Sequence, residues 1–326
     1  MVNNGVYGNQ LKGNGNLHLA GSDVTLANSN QGFGGDISFA NDGRLSVTTP
    51  TMNQIGNAKV NTKDGTLAIK SEGNLNFENV VTGNGVLDIN TQGNNVNLTK
   101  ADKFNGTLKL TETSIDGEKN ADVLDEAKVE LFDKSTLTVK TDGQKVDSLK
   151  VDGTSKLQFT DAFALGAEYK GKLDAKNGIE LADGATVSVD RTSVESAKNS
   201  AANDDRNLLD QDVAGNAVTL ATGKTSVGKV TLVDRDEKEI TSAVTTAVTS
   251  DGVEVADATY DFSVNGDDKG LHIGYQLEKV DVRDGKMLVL DTKGANDHTF
   301  SAELVGKGGL AVRGDTVTLS HIGNTY

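Results

Sequence analysis

The chain contains no cysteine and no tryptophan, has a single proline and is only 4% aromatic over 326 residues. Without cysteine it cannot form a disulfide framework, a cysteine-ligated zinc site or a cysteine nucleophile. Its four histidines leave little material for histidine-based metal binding or acid–base chemistry. There is no run of about 18 apolar residues, so we expect no membrane insertion by this segment. The residues after Met1 do not have the pattern of a secretory leader.

Acidic residues outnumber basic ones, and the excess is unevenly distributed. The chain has 47 Asp and Glu against 32 Lys and Arg, which gives a net charge of -15. Residues 1–100 contain 7 acidic and 6 basic residues, a net charge of -1, so the remaining residues carry -14. Because phosphate binding needs clustered Lys and Arg, this balance argues against nucleic acid as a partner.

Large apolar residues are scarce for a chain of this length. Apolar residues make up 36% of the sequence, whereas 37 residues are glycine. A single globular core normally uses more Phe, Trp and Leu. Val, Ile, Leu and Thr nevertheless recur in short alternating runs, a pattern that a disordered chain lacks. The composition therefore favours many thin, regular layers over one thick core.

A pattern of one apolar, one polar and one apolar residue returns about every twenty positions. Successive copies begin at residues 67, 87, 108, 129 and 149, with spacings of 20, 21, 21 and 20. A second such run often follows about 8 residues later, as from residue 67 to residue 75. Short alternation indicates strands buried on one side, and the Gly, Asn and Asp between them suit tight corners. The copies are Leu17-His18-Leu19, Ile37-Ser38-Phe39, Leu67-Ala68-Ile69, Leu87-Asp88-Ile89, Leu108-Lys109-Leu110, Val129-Glu130-Leu131 and Leu149-Lys150-Val151.

Short strands at this fixed period predict an all-β parallel β-helix, or β-solenoid, in which each turn of the chain forms one rung. Stacked rungs add their strands in parallel, and inward side chains form apolar columns, so each rung needs few large residues. About ten rungs in residues 1–232 would make a rod of roughly 50 Å, at about 4.8 Å per rung. An antiparallel β-sandwich is the alternative, but it does not predict a constant spacing over consecutive steps.

A longer motif, aromatic-x-Gly-x-apolar, occurs three times and begins at Phe33, Phe104 and Tyr169. We interpret the aromatic side chain as filling a corner of a rung, and the glycine as the point where the chain turns into the next strand. A binding role for these aromatics is the alternative. Each of them precedes an inward-facing strand, which favours the structural interpretation.

The regular pattern breaks twice after residue 190. Residues 191–216 show no strand pattern and are rich in Ser, Ala, Asn and Asp, so we expect a loop insertion with a helical turn near Leu208-Leu209. From residue 233 the spacing changes, and turn signals at residues 250–252 and 265–268 predict hairpins. Such hairpins would also cover an open solenoid edge.

These breaks predict two parts. Residues 1–232 form solenoid rungs that include the loop insertion, and residues 233–326 form a hairpin module followed by a C-terminal cap of further rungs. The strands expected in the cap cover Met287–Leu290, Phe300–Leu304, Leu310–Val312 and Val317–Leu319.

The segment Lys307–Ser320, followed by Gly323–Tyr326, resembles the passenger-associated repeat of bacterial autotransporters. That unit has the form G-x-L-x-x-x-G-x-x-L-x-L-x-x-x-N-T-Y-T-G. Here Asp315 and Val317 replace a Gly and a Leu that are common in the family, and one extra residue precedes Asn324. The resemblance implies the passenger of a Gram-negative, type V secreted autotransporter of the self-associating adhesin type.

The resemblance also implies a fold and a location. The family passenger is a right-handed parallel β-helix, and its last region, here residues 233–326, would act as a folding nucleus, the autochaperone. The passenger would reach the cell surface, or be secreted, through an outer-membrane barrel that lies outside these 326 residues. The lack of cysteine is consistent with such export, since disulfides formed in the periplasm could obstruct translocation.

We predict no catalytic residue and no enzyme activity. A serine protease needs a nucleophile turn with His and Asp partners, and Gly21-Ser22-Asp23 lacks that order. His18 and His272 lie between apolar strand residues, and His298 and His321 lie in expected turns, so all four are interpreted as surface residues. β-Helical polysaccharide lyases and hydrolases need clustered carboxylates and usually an aromatic platform. Here the acidic residues lie mostly in turns.

We also predict no metal site and no cofactor. Gly32–Ile37 partly resembles a repeat-in-toxin calcium loop, but that motif works as tandem copies and this copy is alone. A second candidate is the acidic cluster of Asp234, Asp236, Glu237 and Glu239. It is interrupted by basic residues and is typical of a solvated surface.

Asparagine is concentrated in the first third of the chain, where 20 of the 29 asparagines precede residue 111. Asparagine ladders either stack inside solenoid corners or bind a second copy through side-chain hydrogen bonds. We favour the structural role for most of them.

Together these features predict a structural and interaction protein, an adhesin that promotes bacterial aggregation, biofilm formation or attachment to host surfaces. The expected partner is a host extracellular-matrix protein or glycan, or another copy on a neighbouring cell. Binding would use an extended face, but the sequence does not identify the ligand-binding residues. The alternatives are a β-helical carbohydrate-active enzyme and a passive stalk that displays another head.

Overall fold

The structure, a computed structural model, describes residues 4–49, 55–101, 103–140, 142–160, 171–189, 197–198, 208–213, 215, 217–250, 252–293 and 298–326. It is nearly all β, with two short helices, and its parallel sheets form a β-solenoid of about 13 rungs. The β-helix expected from the repeat is therefore confirmed.

The described elements follow one another in short steps along the chain. The first half contains β1 (Gly5–Tyr7), β2 (Leu17–Ala20), β3 (Asp23–Leu26), β4 (Asp36–Ala40), β5 (Gly43–Thr49), β6 (Lys59–Asn61), β7 (Gly65–Ser71), β8 (Leu75–Phe77), β9 (Val81–Gly83), β10 (Val86–Leu98), β11 (Lys103–Phe104), β12 (Thr107–Asp116), α1 (Ala121–Leu124), β13 (Lys128–Phe132), β14 (Thr136–Val139), β15 (Gln144–Val146), β16 (Ser148–Val151) and β17 (Lys156–Phe159). The second half contains β18 (Leu173–Ala175), β19 (Ile179–Leu181), β20 (Thr186–Val189), β21 (Ala197–Lys198), α2 (Leu208–Gln211), β22 (Ala217–Thr222), β23 (Thr225–Val227), β24 (Thr231–Val233), β25 (Val244–Ser250), β26 (Val253–Gly266), β27 (Gly270–Val282), β28 (Met287–Asp291), β29 (His298–Phe300), β30 (Glu303–Gly306), β31 (Gly309–Arg313) and β32 (Val317–Leu319).

The solenoid has three faces, each built from one strand per rung. Face A is the column β1, β3, β5, β7, the first halves of β10 and β12, then β13, β16, β19 and β23. Face B is β8, the second halves of β10 and β12, then β14, β17, β20 and β24. Face C contains β2, β4, β6, β9 and β11, and later β15, β18 and β22. Between these two groups, α1 follows β12 in the chain and packs against β15.

The rungs of face A stack in register, so that equivalent residues form continuous columns. Leu67 pairs with Leu87, Leu87 with Leu108, Leu108 with Val129, and Val129 with Leu149, as the spacing predicted. All five side chains are buried. Each strand of this column therefore contributes about two buried large apolar residues, such as Leu87 and Ile89, to a core that extends along the axis, which explains the low apolar content.

The first two copies of the repeat lie on a different face from the others. Leu17–Ala20 and Asp36–Ala40 pair with each other on face C, whereas the face A residues of those rungs are Val24–Leu26 and Leu45–Val47. The seven copies of the repeat therefore do not all belong to one column. The period of the chain is the same on every face, so spacing alone does not identify the face.

A ladder of buried hydroxyls forms the corner between faces A and B. The backbone N–H of Thr91 donates to Thr113 Oγ1 (3.0 Å), that of Thr113 to Ser135 Oγ (3.0 Å), and that of Ser135 to Ser155 Oγ (3.2 Å). All four residues are fully buried. Where the chain bends, the backbone hydrogen bonds between neighbouring strands are lost. The hydroxyl oxygens accept hydrogen bonds from backbone N–H groups that would otherwise be buried without a partner.

The aromatic motif is structural in the two copies that the structure describes. Phe33 and Phe104 are buried, and Tyr169 lies outside the described residues. A Cβ at Gly35 would lie 1.8 Å from the Gly15 carbonyl oxygen, and one at Gly106 would lie 2.0 Å from that of Gly85. The two copies occupy different corners, because Phe33 leads into face C and Phe104 leads into face A.

Antiparallel hairpins interrupt the parallel stacking after β24, as predicted. β25, β26 and β27 pair antiparallel in sequence, and the first half of β27 also pairs antiparallel with β22. The second half of β27 then pairs in parallel with β30, β28 with β31, and β29 with β32. These strands form two further rungs at the C-terminal end. The division of the chain into domains at residue 232 stays a prediction.

One detail of this region differs from expectation. The strand expected over Phe300–Leu304 is divided into β29 and β30 by a corner at Ser301-Ala302. Asp212 stabilises that corner, because its carboxylate accepts hydrogen bonds from Ser301 Oγ (3.0 Å), Ala302 N (3.1 Å) and Ser301 N. Burial raises the pKa of Asp212 despite these bonds.

The expected insertion at residues 191–216 lies mostly outside the described residues. The helical turn near Leu208-Leu209 is confirmed as α2, and both leucines are buried. The expectation of no strand there was wrong for Ala197–Lys198, which pairs in parallel with β25. A two-residue strand is too short to show alternation.

Thr113→Val should lower the free energy of unfolding by about 1–3 kcal/mol, because the isosteric side chain leaves the Thr91 N–H without its acceptor in a buried corner. The measurement is the denaturant midpoint at unchanged slope. Thr111→Val, on the outward side of the same strand, is the matched control and should change stability by no more than about 0.5 kcal/mol. Equal effects of the two changes would contradict the structural role of the hydroxyl ladder.

Candidate interaction surface

The outward side of face A carries a column of side chains whose charge alternates from rung to rung. Asp88 pairs in register with Lys109, Lys109 with Glu130, Glu130 with Lys150, and Lys150 with Glu180. We call these five residues the charge ladder. Each is the middle residue of an apolar–polar–apolar triplet, so both of its chain neighbours point inward and position it on the surface.

Contacts within and beside the charge ladder are those of an exposed surface. Lys150 Nζ lies 3.6 Å from Glu180 Oε1, and Arg44 Nη2 lies 3.0 Å from Asp88 Oδ2, diagonally across the intervening strand β7. Neighbouring strands are about 4.8 Å apart, so opposite charges on adjacent rungs attract, each pair contributing roughly 0.2–1 kcal/mol. The ladder thus contributes modestly to stacking, with Lys150 and Glu180 exposed and the other three residues half-buried.

Two shallow grooves open on this face. One, of about 380 Å³, is lined by Arg44, Lys70, Asp88 and Lys109 among others. The second, of about 350 Å³, includes Lys128, Glu130, Lys150 and Lys224. Both are open and polar, in contrast to the enclosed apolar sites that bind small molecules. Face A therefore has the form of an extended contact surface.

Face B differs from face A in carrying mostly uncharged polar groups. Its outward residues include Asn76, Asn97, Asn95, Ser114, Thr136, Thr138 and Gln158. Asn95 N donates to Asn74 Oδ1 (3.1 Å), which continues the stacking between rungs. Charge alternation over several rungs is therefore a property of face A and not a general consequence of the repeat.

Three buried asparagines have the structural role expected from the sequence. Asn79 Nδ2 donates to the carbonyl oxygens of Gly56 (2.9 Å) and Ala58 (2.8 Å). Asn120 Oδ1 accepts from Leu98 N (2.7 Å), and Asn30 Oδ1 accepts from Leu11 N (2.6 Å). Each joins one rung to the next at a corner, so these side chains are not available to a partner.

The four histidines occupy different surroundings. His18 is exposed and its Nδ1 lies 3.0 Å from Ser38 Oγ. His321 accepts from Gly323 N (3.1 Å), in the expected turn. His298 was expected in a turn, but it begins β29, because its backbone pairs with Val317 in the last rung.

His272 has a hydroxyl partner that sequence spacing did not suggest. Its Nδ1 lies 3.1 Å from Thr219 Oγ1, and its Nε2 lies 3.1 Å from Asp267 Oδ1. Thr219 and Asp267 are brought to it by the antiparallel pairing of β22 with β27 and by the turn between β26 and β27. These contacts join three elements at the junction between the solenoid and the hairpins.

The side chains of the acidic cluster near residue 234 make separate contacts with nearby groups. The buried Asp234 Oδ1 accepts from Asp236 N and Lys238 N, both at 2.9 Å. Glu237 pairs with Lys156 (2.6 Å), and Glu239 accepts from Thr241 Oγ1 (3.1 Å). Among the residues that the structure describes, no three His, Asp or Glu side chains form a group that could hold a metal ion.

The C-terminal residues that resemble the passenger repeat fold back onto the preceding rung. Asn324 Oδ1 accepts from Leu304 N (2.7 Å), Thr325 N donates to Leu304 O (3.2 Å), and Tyr326 OH donates to Gly308 O (2.5 Å). The Asn-Thr-Tyr segment therefore supplies hydrogen-bond partners to backbone groups at the edge of the last rung. This gives the motif a structural role.

Comparison with known proteins gives one informative relationship. The chain is 28% identical, over 338 aligned residues, to YuaQ of Escherichia coli strain K12, a protein described as uncharacterized. The alignment covers 96% of this chain and 24% of YuaQ, so the chain spans about a quarter of the length of that relative. No protein family model and no solved structure matches the chain.

Neither α1 nor α2, the helices in the described part of the chain, has the length or apolar character needed to cross a bilayer.

Stability at the hairpin junction should depend on pH through Asp267. The backbone N–H groups of Lys269 and Gly270, together with His272, hold the pKa of this carboxyl below its ordinary value of 3.8. Its stabilising contribution is complete above pH 3.8 and is lost as the pH falls through the lower folded-state pKa. Asp267→Asn should therefore unfold at a lower temperature than wild type at pH 6, and this difference should shrink below pH 3.8.

Thermal unfolding followed by circular dichroism from pH 6 to about pH 2 checks this expectation. Asp268→Asn is the matched control, because the Asp268 side chain is 88% exposed, and it should differ little from wild type at any pH. A difference between wild type and Asp267→Asn that stays constant with pH would be inconsistent with the hydrogen-bonded carboxylate.

Proposed function

We propose that the chain is part of the β-helical passenger of an adhesin-type autotransporter, located at the cell surface or secreted through the outer membrane. Its partner would be a host matrix protein or glycan, or a second copy of the passenger. The observation that carries the proposal is the solenoid with its extended outward face A, on which polar and charged side chains recur from rung to rung.

An extended face suits adhesion for a physical reason. A partner that follows the rod makes many weak polar contacts, and many chains on one cell act together, so the combined affinity far exceeds that of one chain. The open grooves of face A fit this mode better than binding of a small molecule.

The C-terminal repeat supports the same proposal. The Asn-Thr-Tyr segment closes the last rung by three hydrogen bonds, a role consistent with the rung-forming repeat of autotransporter passengers. The two C-terminal rungs and the hairpins would then form the stable end from which folding proceeds after export.

Display of the chain on non-adherent bacterial cells tests the function. Attachment to immobilised matrix proteins and glycans, settling of cell suspensions and biofilm mass are measured at equal surface display, with the display anchor alone as control. At least one of these should rise by about tenfold or more, since multivalent display amplifies weak contacts.

Two other outcomes would contradict the adhesin. Release of reducing ends from soluble polysaccharides by the purified chain would favour the carbohydrate-active enzyme instead. Equal display with no attachment, aggregation or biofilm would favour the passive stalk.

A further inference from the structure

A cavity of about 490 Å³ opens at the corner between faces B and C and is distinct from the grooves of face A. Three successive turns of the chain form it: residues 55–59 lead into β6, residues 78–80 join β8 to β9, and residues 99–101 join β10 to β11. Its volume lies within the range of sites that hold a small ligand. We call this cavity the corner site.

The backbone around the corner site is held by a buried asparagine. Asn79 Nδ2 donates to the carbonyl oxygens of Gly56 (2.9 Å) and Ala58 (2.8 Å), and Val60 N donates to Val80 O (2.8 Å) between the same two rungs. Gly56, Asn79 and Val80 all line the cavity. Hydrogen bonds between rungs therefore preform the site, which lowers the cost of ordering it when a ligand binds.

The exposed polar side chains that line the corner site are Asn57, Lys59, Asn76, Glu78 and Lys100. None of these side chains forms a hydrogen bond or an ion pair with another residue in the described part of the chain. Other lysines of the solenoid do have such a partner, as Lys140 has in Asp116 (2.7 Å). Donors and acceptors that are free to bind a ligand therefore converge on one cavity.

The corner site is cationic although the chain as a whole is strongly acidic. Lys59 and Lys100 lie two rungs apart and Glu78 lies on the rung between them, so the three charges sum to +1 on a protein of net charge -15. Ammonium groups donate hydrogen bonds to a carboxylate, whereas an ionised Glu78 accepts hydrogen bonds from hydroxyl groups. A densely sulfated chain would place anions beside Glu78, and a neutral sugar would leave both lysines unpaired.

The uncharged groups of the corner site narrow the ligand chemistry further. The amides of Asn57 and Asn76 each donate and accept hydrogen bonds, and so match the N–H and the carbonyl of an N-acetyl group. We propose that the corner site binds a terminal sugar of the sialic acid type, which carries one carboxylate, an N-acetyl group and several hydroxyls. This inference rests on the proposed adhesin and names the chemical class of its glycan partner.

The exposure of these side chains indicates weak binding by a single chain. We expect a dissociation constant of about 0.1–1 mM for one sugar, because the long side chains must be ordered when it binds. Display of many copies on one cell would raise the apparent affinity by about 100-fold or more. Binding should weaken as salt screens the charges.

Matched ligands test the chemical class with the purified chain. Sialyllactose is titrated against lactose, which has the same core without the sialic acid, and against sulfated lactose, which adds an anion but no N-acetyl group. Sialyllactose should bind in calorimetric or NMR titrations. The other two sugars should each bind at least about tenfold more weakly, because they leave polar groups of the site without a partner.

Lysine variants test the location of the site. Lys59→Ser and Lys100→Ser should each weaken the binding of sialyllactose at least about fivefold, because each removes one of the two cations that face the carboxylate. Lys63→Ser makes the same change in net charge at an exposed residue outside the cavity, and should leave binding unchanged. Circular dichroism verifies that every variant is folded.

Glu78→Ala separates a fitted site from non-specific attraction. In a fitted site the variant should bind sialyllactose about tenfold more weakly, since the sugar hydroxyls lose a charged acceptor. Attraction between the lysines and the carboxylate alone predicts tighter binding instead, because the variant removes a negative charge.

Any one of four results would overturn the proposal: no binding of sialyllactose up to about 10 mM, equal binding of lactose or sulfated lactose, lysine variants that bind as well as wild type, or tighter binding by Glu78→Ala. These results are distinguishable from failure of the adhesin function. A chain that binds sialyllactose as described, yet causes no attachment when displayed on cells, would retain the site and contradict the function. A chain that causes attachment on cells but does not bind sialyllactose would retain the function and contradict the site.

Discussion

The in-register parallel pairing of each rung with the next is the constraint on which the rest of the structure depends. Backbone groups of one rung are satisfied by the rungs on either side, so every residue position is repeated along the axis. A position that points inward becomes an apolar column, such as that of Leu67, Leu87 and Leu108. A position at a corner becomes a ladder of hydroxyls, and a position that points outward becomes the charge ladder.

The close stacking of the rungs also determines which residue types fit at particular positions of a rung. The rungs approach so closely at Gly35 and Gly106 that a Cβ would contact backbone oxygen of the neighbouring rung. Positions that lose ladder bonds at corners carry Thr, Ser or Asn, because their side chains replace the missing backbone partner. Asp212 and Asp267 have the same role where the hairpins and the C-terminal rungs depart from the regular stacking.

The sequence predicted the solenoid, the turns of the hairpins and α2, because strand alternation and turn residues are local signals. It did not identify the face to which a strand belongs, as the triplets at Leu17 and Ile37 illustrate, since the period is shared by all faces. The corner at Ser301-Ala302 was missed because the residue that holds it, Asp212, is distant in the chain. The charge ladder was visible as alternating middle residues, but only the register of Asp88, Lys109, Glu130 and Lys150 shows that they are neighbours.

Engineered disulfides test the in-register stacking most directly, because the chain has no cysteine of its own. Ser114 and Thr136 are register partners on adjacent rungs, whereas Asn95 lies one rung before Ser114 and therefore two rungs from Thr136. Adjacent strands are about 4.8 Å apart, within disulfide reach, but two rungs span about 9.6 Å, which is beyond it. Ser114→Cys with Thr136→Cys should form an intramolecular disulfide on mild oxidation, and Asn95→Cys with Thr136→Cys should not. Equal cross-linking of both pairs, or of neither, would contradict the parallel solenoid.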